Sequence, residues 1–167
     1  GDPAQRGAAM TGHVKVIAEA GVNHNGDPDL AVELLIKAAE AGADCIKFQT
    51  FRACEIASRR AELAGYQRHE VGDLSQVDML RPLELDRKTH LRCQEEARRR
   101  SIDFISTPFD LPSVEMLQNL GLHCFKISSG DVTNLPLLRA VARVAEPVIL
   151  STGMCSMDDV KKAVDAM

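Results

Sequence analysis

Five short apolar runs in this 167-residue chain each carry or end in a polar residue. Strands of a parallel sheet covered by helices normally read as near-continuous apolar segments, so such interruptions are candidates for chemistry. In Ile17-Ala18-Glu19-Ala20-Gly21 the Glu19 carboxylate ends the first strand, and Lys47 and Gln49 alternate with Ile46 and Phe48 in the second run. Thr107 follows Phe104-Ile105-Ser106, Lys126 sits between Phe125 and Ile127 ahead of Ser128, Ser129 and Asp131, and Ser151 follows Ile149-Leu150. Side chains alternate faces along a strand, so Lys47 and Gln49 share one face while Ile46 and Phe48 take the other, toward the helices. If Lys47 and Lys126 both point inward, two ammonium groups converge with several hydroxyls.

Burying an unpaired ammonium costs several kcal/mol, so two neighbouring ones need carboxylate partners or an anionic ligand. Three readings stay open at this level. Glu19 and Asp131 are available for an internal ion-pair network with no chemistry. Alternatively Thr107, Ser129 and Ser151 complete a cradle of hydroxyls and cations for phosphate and carboxylate oxygens. A strand lysine with a lowered pKa is also a potential imine-forming nucleophile, as in class I aldolases.

The elements that must position these residues alternate. The β-rich runs Val14 to Ala18, Cys45 to Gln49, Phe104 to Ser106, Cys124 to Ser128 and Val148 to Ser151 are separated by helical patterns, the β/α signature. Asp27 caps a first helix with Pro28 at its first position; Leu30, Leu34, Leu35, Ala38 and Ala39 form its apolar stripe and Gly42 stops it. Val114, Leu117 and Leu120 precede Gly121, Asn134 precedes Leu138 and Val141, and Ser156 with Asp159 forms a capping box. The runs start at 14, 45, 104, 124 and 148, so the spacings are 31, 59, 20 and 24. The second unit therefore carries about thirty residues beyond a normal crossover, from about Arg52 to Leu83 and including Tyr66. A loop excursion at the strands' carboxyl ends or a tolerated surface insertion both fit it.

An open doubly wound sheet is the competing architecture, but Ala20-Gly21-Val22-Asn23 lacks the G-x-G-x-x-G phosphate fingerprint. The expected fold is α/β, a parallel (β/α) barrel of TIM type, of which about the first five β/α units lie in this chain; a closed barrel takes about 250 residues. Residues 1–12 read as a disordered leader and 13–167 as the partial barrel.

Composition narrows the classes. With 20 basic and 24 acidic residues the formal charge is −4, opposite to what phosphate-neutralising nucleic-acid binders carry. Arg98, Arg99 and Arg100 fall at the end of a predicted helix, where cations favour the dipole and water solvates them. No apolar run reaches the ~18 residues of a membrane helix, and the first residues lack a signal-peptide core, so the expected location is the cytoplasm with no membrane partner. Five widely spaced cysteines without a C-x-x-C pair read as reduced thiols. The five histidines form no i, i+4 pair, so no metal ligand is assigned; His24 either borders the mouth of a site or is a satisfied turn residue.

Glu19-Ala20-Gly21-Val22-Asn23-His24-Asn25-Gly26-Asp27, Ala41 to Thr50, Ser106-Thr107-Pro108-Phe109-Asp110, Lys126 to Asp131 and Leu150-Ser151-Thr152-Gly153-Met154 together resemble the N-acetylneuraminate (sialic acid) synthase family over residues 14–167. The resemblance implies condensation of phosphoenolpyruvate with an N-acylated amino sugar, such as N-acetylmannosamine, to a nonulosonic acid and phosphate. It implies that Lys47, Thr107, Lys126, Ser129 and Ser151 bind phosphoenolpyruvate, that Glu19 is catalytic, and that Gln49 and Asp131 face the sugar. Val132-Thr133-Asn134 resembles the branch acting on legionaminic acid precursors. The family's divalent metal, Mn or Mg, and its antifreeze-like domain come from later segments, and a homodimer is implied at full length. The 167 residues alone are accordingly expected to be inactive. The rivals are an imine-forming pyruvate aldolase and a non-catalytic barrel fragment.

Overall fold

The computed structural model describes residues 14–57 and 75–167. The elements are β1 (Ile17–Gly21), α1 (Pro28–Glu40), β2 (Cys45–Thr50), α2 (Ala53–Ile56) and α3 (Gln76–Leu80), followed by a 3-10 turn (Arg81–Leu83). Then come α4 (Arg87–Arg100), β3 (Asp103–Pro108), α5 (Leu111–Asn119), β4 (Phe125–Ile127), a second 3-10 turn (Ser129–Asp131), α6 (Leu135–Ala142), β5 (Val148–Leu150) and α7 (Met157–Ala166). The strands form one parallel sheet in the order β1-β2-β3-β4-β5. A doubly wound sheet reverses its strand order at a switch point, whereas consecutive β/α units of a TIM-type barrel lie side by side, as these do. The five units are thus part of such a barrel.

Short polar caps fix the starts of the longer helices. Asp27 accepts from the N–H groups of Asp29 (2.8 Å) and Leu30 (3.2 Å) with Pro28 in the first turn. Asp86 and Asp110 accept from Thr89 and Ser113 at 2.7 Å each, Asn134 from Leu137 at 3.3 Å, and Ser156 and Asp159 close a reciprocal capping box. A cap of this kind contributes about 1 kcal/mol and fixes the loop before the helix.

The helix-facing side of the sheet forms two apolar clusters. Leu35 of α1, Ile46 and Phe48 of β2 and Cys93 of α4 make one; Leu117, Phe125, Ile127, Leu137 and Val141 make the other. Phe104 packs against both. Full burial of side chains such as Phe48 and Phe125 contributes roughly 1.5–3 kcal/mol each. Arg99 and Arg100, in the last turn of α4, pair with Glu95 and Glu96 of their own helix. All five cysteines are free.

Two expectations need correction. The first strand starts at Ile17 rather than Val14: Val14 and Val16 are exposed, and pairing to Cys45 begins at Ile17, so high β propensity alone extended the run. Glu19 consequently lies inside β1 instead of ending it. The excursion from Arg52 to Leu83 carries structure of its own at both ends, α2, α3 and a 3-10 turn. Its centre with Tyr66, and the expected leader, lie outside the described residues.

Candidate active site

The face of the sheet opposite the helices bears a cavity of about 260 Å3 lined by Glu19, Lys47, Gln49, Thr107 and Lys126, with Gly21, Val22, Asn23, Phe109 and Ser128 completing the wall. Register explains the grouping. Glu19 is the partner of Lys47 across β1 and β2, and Gln49 of Thr107 across β2 and β3. The pairing slips between Glu19 and Gly21. Gly21 has φ +53°, and a Cβ there would stand 3.1 Å from Glu19 Oε1 and 3.5 Å from Gln49 Nε2. Glycine therefore lets the carboxylate and the amide close over the end of β1.

Glu19 and Lys47 form an ion pair in which the lysine side chain is 13% exposed and the glutamate 50%. Lys126 forms no ion pair among the described residues. Its pKa is lowered, first by burial and then by the neighbouring Lys47, against the opposing pull of Glu19 and Asp131. The Asp131 pKa is raised by burial, an effect opposed by the Asn134 side-chain hydrogen bond (3.4 Å) and by Lys126. On β3, the strand between those of the two lysines, Thr107 is almost fully buried, and its Oγ1 has no hydrogen-bond partner among the described residues. The site thus combines one ammonium already matched by a carboxylate, a second that has no such match among the described residues, and behind them a buried hydroxyl without a partner. Such an arrangement suits an anion with several oxygens.

Ser129, Ser151 and Asp131 sit at the same end of the sheet but are absent from the cavity wall. Ser129 and Asp131 belong to the 3-10 turn after β4, and Ser151 follows β5, its N–H donating to Ile127 O at 3.1 Å. The turn tips Ser129 toward the loop after β5, where a Cβ on Gly153 would lie 3.6 Å from its Oγ. Ser128 takes the wall position instead. Sequence reasoning did not single out Asn23, Phe109 or Ser128 as site residues; position one or two residues beyond a strand end was the available signal. It also missed a buried tie behind the site, in which Thr50 Oγ1 lies 2.6 Å from Ser106 Oγ and 2.9 Å from His90 Nε2. His24 is fully buried, with Nδ1 accepting from Gly26 N–H at 2.9 Å and Nε2 unpartnered, so it neither borders the mouth nor is fully satisfied. Among the described residues no three His, Cys, Asp or Glu side chains group closely enough to hold a metal ion.

Sheet order, a helix-covered face and a cavity bearing two lysines on the other define a β/α-barrel domain. The NeuB family model matches residues 34–167, and the chain belongs to the NeuB family. It is 47% identical over 153 residues to N,N'-diacetyllegionaminic acid synthase of Campylobacter jejuni, covering 91% of this chain and 46% of that protein. The enzyme of the same name from Legionella pneumophila is 45% identical over 163 residues, 97% of this chain and 45% of its own. Among solved structures, N-acetylneuraminic acid synthetase from Leptospira borgpetersenii, in complex with citrate, superposes with a TM-score of 0.76 at 35% identity, over 92% of this chain and 49% of that one. The chain spans about half the length of the relatives it matches.

Proposed function

We propose that the full-length protein is a nonulosonic acid synthase that condenses phosphoenolpyruvate with an N-acylated amino sugar, giving a sugar acid of legionaminic type and phosphate. The observation that carries this reading is the charge imbalance in the cavity: Lys126, without an ion-pair partner among the described residues, beside the Glu19–Lys47 pair, with the Thr107 hydroxyl on the strand between. Phosphoenolpyruvate supplies a phosphate and a carboxylate to match. On this reading Lys47, Thr107 and Lys126 hold it, joined by Ser129 and Ser151 from the neighbouring loops. Gln49 and Asp131 face the sugar, and Glu19 handles the water or proton that completes C2. The names of the relatives support the product class. We place the protein in the cytoplasm as a homodimer that requires segments beyond these 167 residues for turnover, including those that carry the divalent-metal ligands.

The chemistry balances as follows. The enol carbon C3 attacks the sugar aldehyde, whose oxygen takes a proton, while water adds to C2. The resulting hemiketal phosphate breaks its C2–O bond, and the bridging oxygen leaves in inorganic phosphate. Phosphoenolpyruvate labelled at that oxygen tests the reading: the label is expected in phosphate. Label retained in the sugar acid overturns attack of water at C2. Pyruvate-dependent inactivation by borohydride, through an adduct at Lys47 or Lys126, replaces the synthase with an imine aldolase. No adduct is expected, because a polyanion beside two lysines holds them protonated and a protonated amine is no nucleophile.

A further inference from the structure

His24 is wholly buried although it sits in a polar loop, and the proposed chemistry does not use it. Its Nδ1 accepts the Gly26 N–H at 2.9 Å. A ring nitrogen that accepts carries no proton, so the imidazole is neutral with its hydrogen on Nε2, where it has no acceptor among the described residues. Burial pushes the ring's pKa down, and the neighbouring His90 adds to the effect. For the turn alone, a shorter acceptor such as the side chain of asparagine, aspartate or serine suffices. What histidine adds is a ring. It packs on Phe48 with centroids 6.2 Å apart, and Phe48 stands between Lys47 and Gln49, two residues of the cavity wall.

The loop in front of this ring is closely constrained. Asn23 N–H donates to Ala20 O at 3.0 Å, Asn25 N–H to Val22 O at 3.0 Å, and Asp27 N–H to His24 O at 2.8 Å. Asn25 and Gly26 both adopt positive φ, 49° and 79°. Gly21, Val22 and Asn23, which immediately precede His24, line the cavity. Asn23 is the polar side chain among these three, and its amide offers a donor and an acceptor together, the pair that a sugar hydroxyl or an N-acyl group takes.

We infer that His24 is a positioning residue whose Nδ1, bonded to the Gly26 N–H, holds the loop after β1 so that Asn23 contacts the acylated amino sugar, while its neutral ring fills the space behind Phe48. The inference rests on the synthase reading for the identity of that sugar, while the holding of the loop stands on the geometry alone.

The test uses the full-length protein with three variants, His24→Phe, His24→Asn and Asn23→Ala. Substrates are phosphoenolpyruvate and either N-acetylmannosamine or a 2,4-diacetamido sugar, whichever the enzyme turns over. His24→Phe keeps a ring and loses the acceptor. The KM for the sugar is expected to rise about tenfold, with the KM for phosphoenolpyruvate within about threefold of the parent. Asn23→Ala should reproduce that split. His24→Asn, which restores an acceptor, should return the sugar KM to within about threefold even where its Tm is lower, separating position from stability. An unchanged sugar KM in His24→Phe, or losses in both KM values and kcat that track Tm across the variants, overturns the inference. Should His24→Phe fail to fold, the Asn23→Ala split and the tautomer of the parent decide. Long-range 1H–15N spectra are expected to show the Nε2-protonated form, and an Nδ1-protonated ring overturns the inference. A parent that turns over neither sugar sinks the synthase reading and with it the role of Asn23. The holding of the loop is then judged by the tautomer and by Gly26 amide exchange, expected to be about tenfold faster or more in His24→Phe.

Discussion

On the proposed function, Thr107 trades stability for binding. Its hydroxyl is buried without a partner, and an orphaned polar group of this kind costs about 1–3 kcal/mol. Thr107→Val keeps the shape and removes the orphan, so Tm should hold or rise. Phosphoenolpyruvate affinity, read by calorimetry on the full-length protein, should fall by on the order of 1.5 kcal/mol. Lys126→Ala should weaken the same binding more, by on the order of 2 kcal/mol or more, because a charge-assisted contact is lost. Unchanged affinity there would return Lys126 to a structural role. Glu19→Gln should chiefly lower turnover, since the amide keeps the shape but exchanges no proton. The lowered pKa of Lys126 adds a sign that can be checked. A bound polyanion favours the ammonium form and raises that pKa, so in alkaline buffer binding should take up protons, measurable as a heat that depends on the buffer's ionisation enthalpy.

Between elements, the tie among α4, β2 and β3 has a definite proton order. His90 Nδ1 lies 2.9 Å from Asp86 O, a group that only accepts, so Nδ1 donates and Nε2 accepts from Thr50. Thr50 Oγ1, its proton committed, accepts from Ser106 at 2.6 Å. The chain runs through residues one position away from Gln49 and Thr107 on the opposite face, which joins a structural tie to the cavity wall. It requires neutral His90, and burial lowers the pKa of His90 as it does that of His24. A lowered folded pKa means stability that is complete above the unfolded value of 6.5 and lost as pH falls through it toward the folded value. Thermal melts from neutral to acid pH should show this loss, and His90→Gln should remove part of it. Gly26 marks another junction, between the loop after β1 and the 3-10 turn before α4. A Cβ at Gly26 would stand 1.9 Å from Pro82 O, and its φ is +79°. Gly26→Ala should therefore destabilise by more than about 1 kcal/mol, seen in denaturant midpoints.

At the scale of the molecule, β1 and β5 are the two ends of the described sheet, and the face opposite the helices is not uniformly polar. Below the ionic cavity lies an apolar one of about 310 Å3, lined in part by Ile17, Ile105 and Ile149. Ile17 and Ile149 are each 37% exposed. Exposed edge strands beside apolar surface favour association, so a polypeptide of these 167 residues is expected to self-associate in light scattering. A longer polypeptide that adds further β/α units should reduce that association.

Strand–helix alternation, the helix caps at Asp27 and Ser156, the shared face of Lys47 and Gln49, and the standing-out of Glu19, Thr107 and Lys126 as polar residues in or just after strands were legible in the residues alone. These properties are local: a cap is read three residues away and a strand face by alternation. Residue spacing does not reveal which lysine has a partner, because that depends on register between strands about thirty residues apart. Tertiary structure paired Glu19 with Lys47, left Lys126 without an ion-pair partner among the described residues, and turned Ser129 and Ser151 out of the wall through a 3-10 turn and the loop after β5. It also buried His24 and His90 behind the sheet, a placement no periodicity announces, because burial of a polar side chain is decided by what packs over it from elsewhere in the chain.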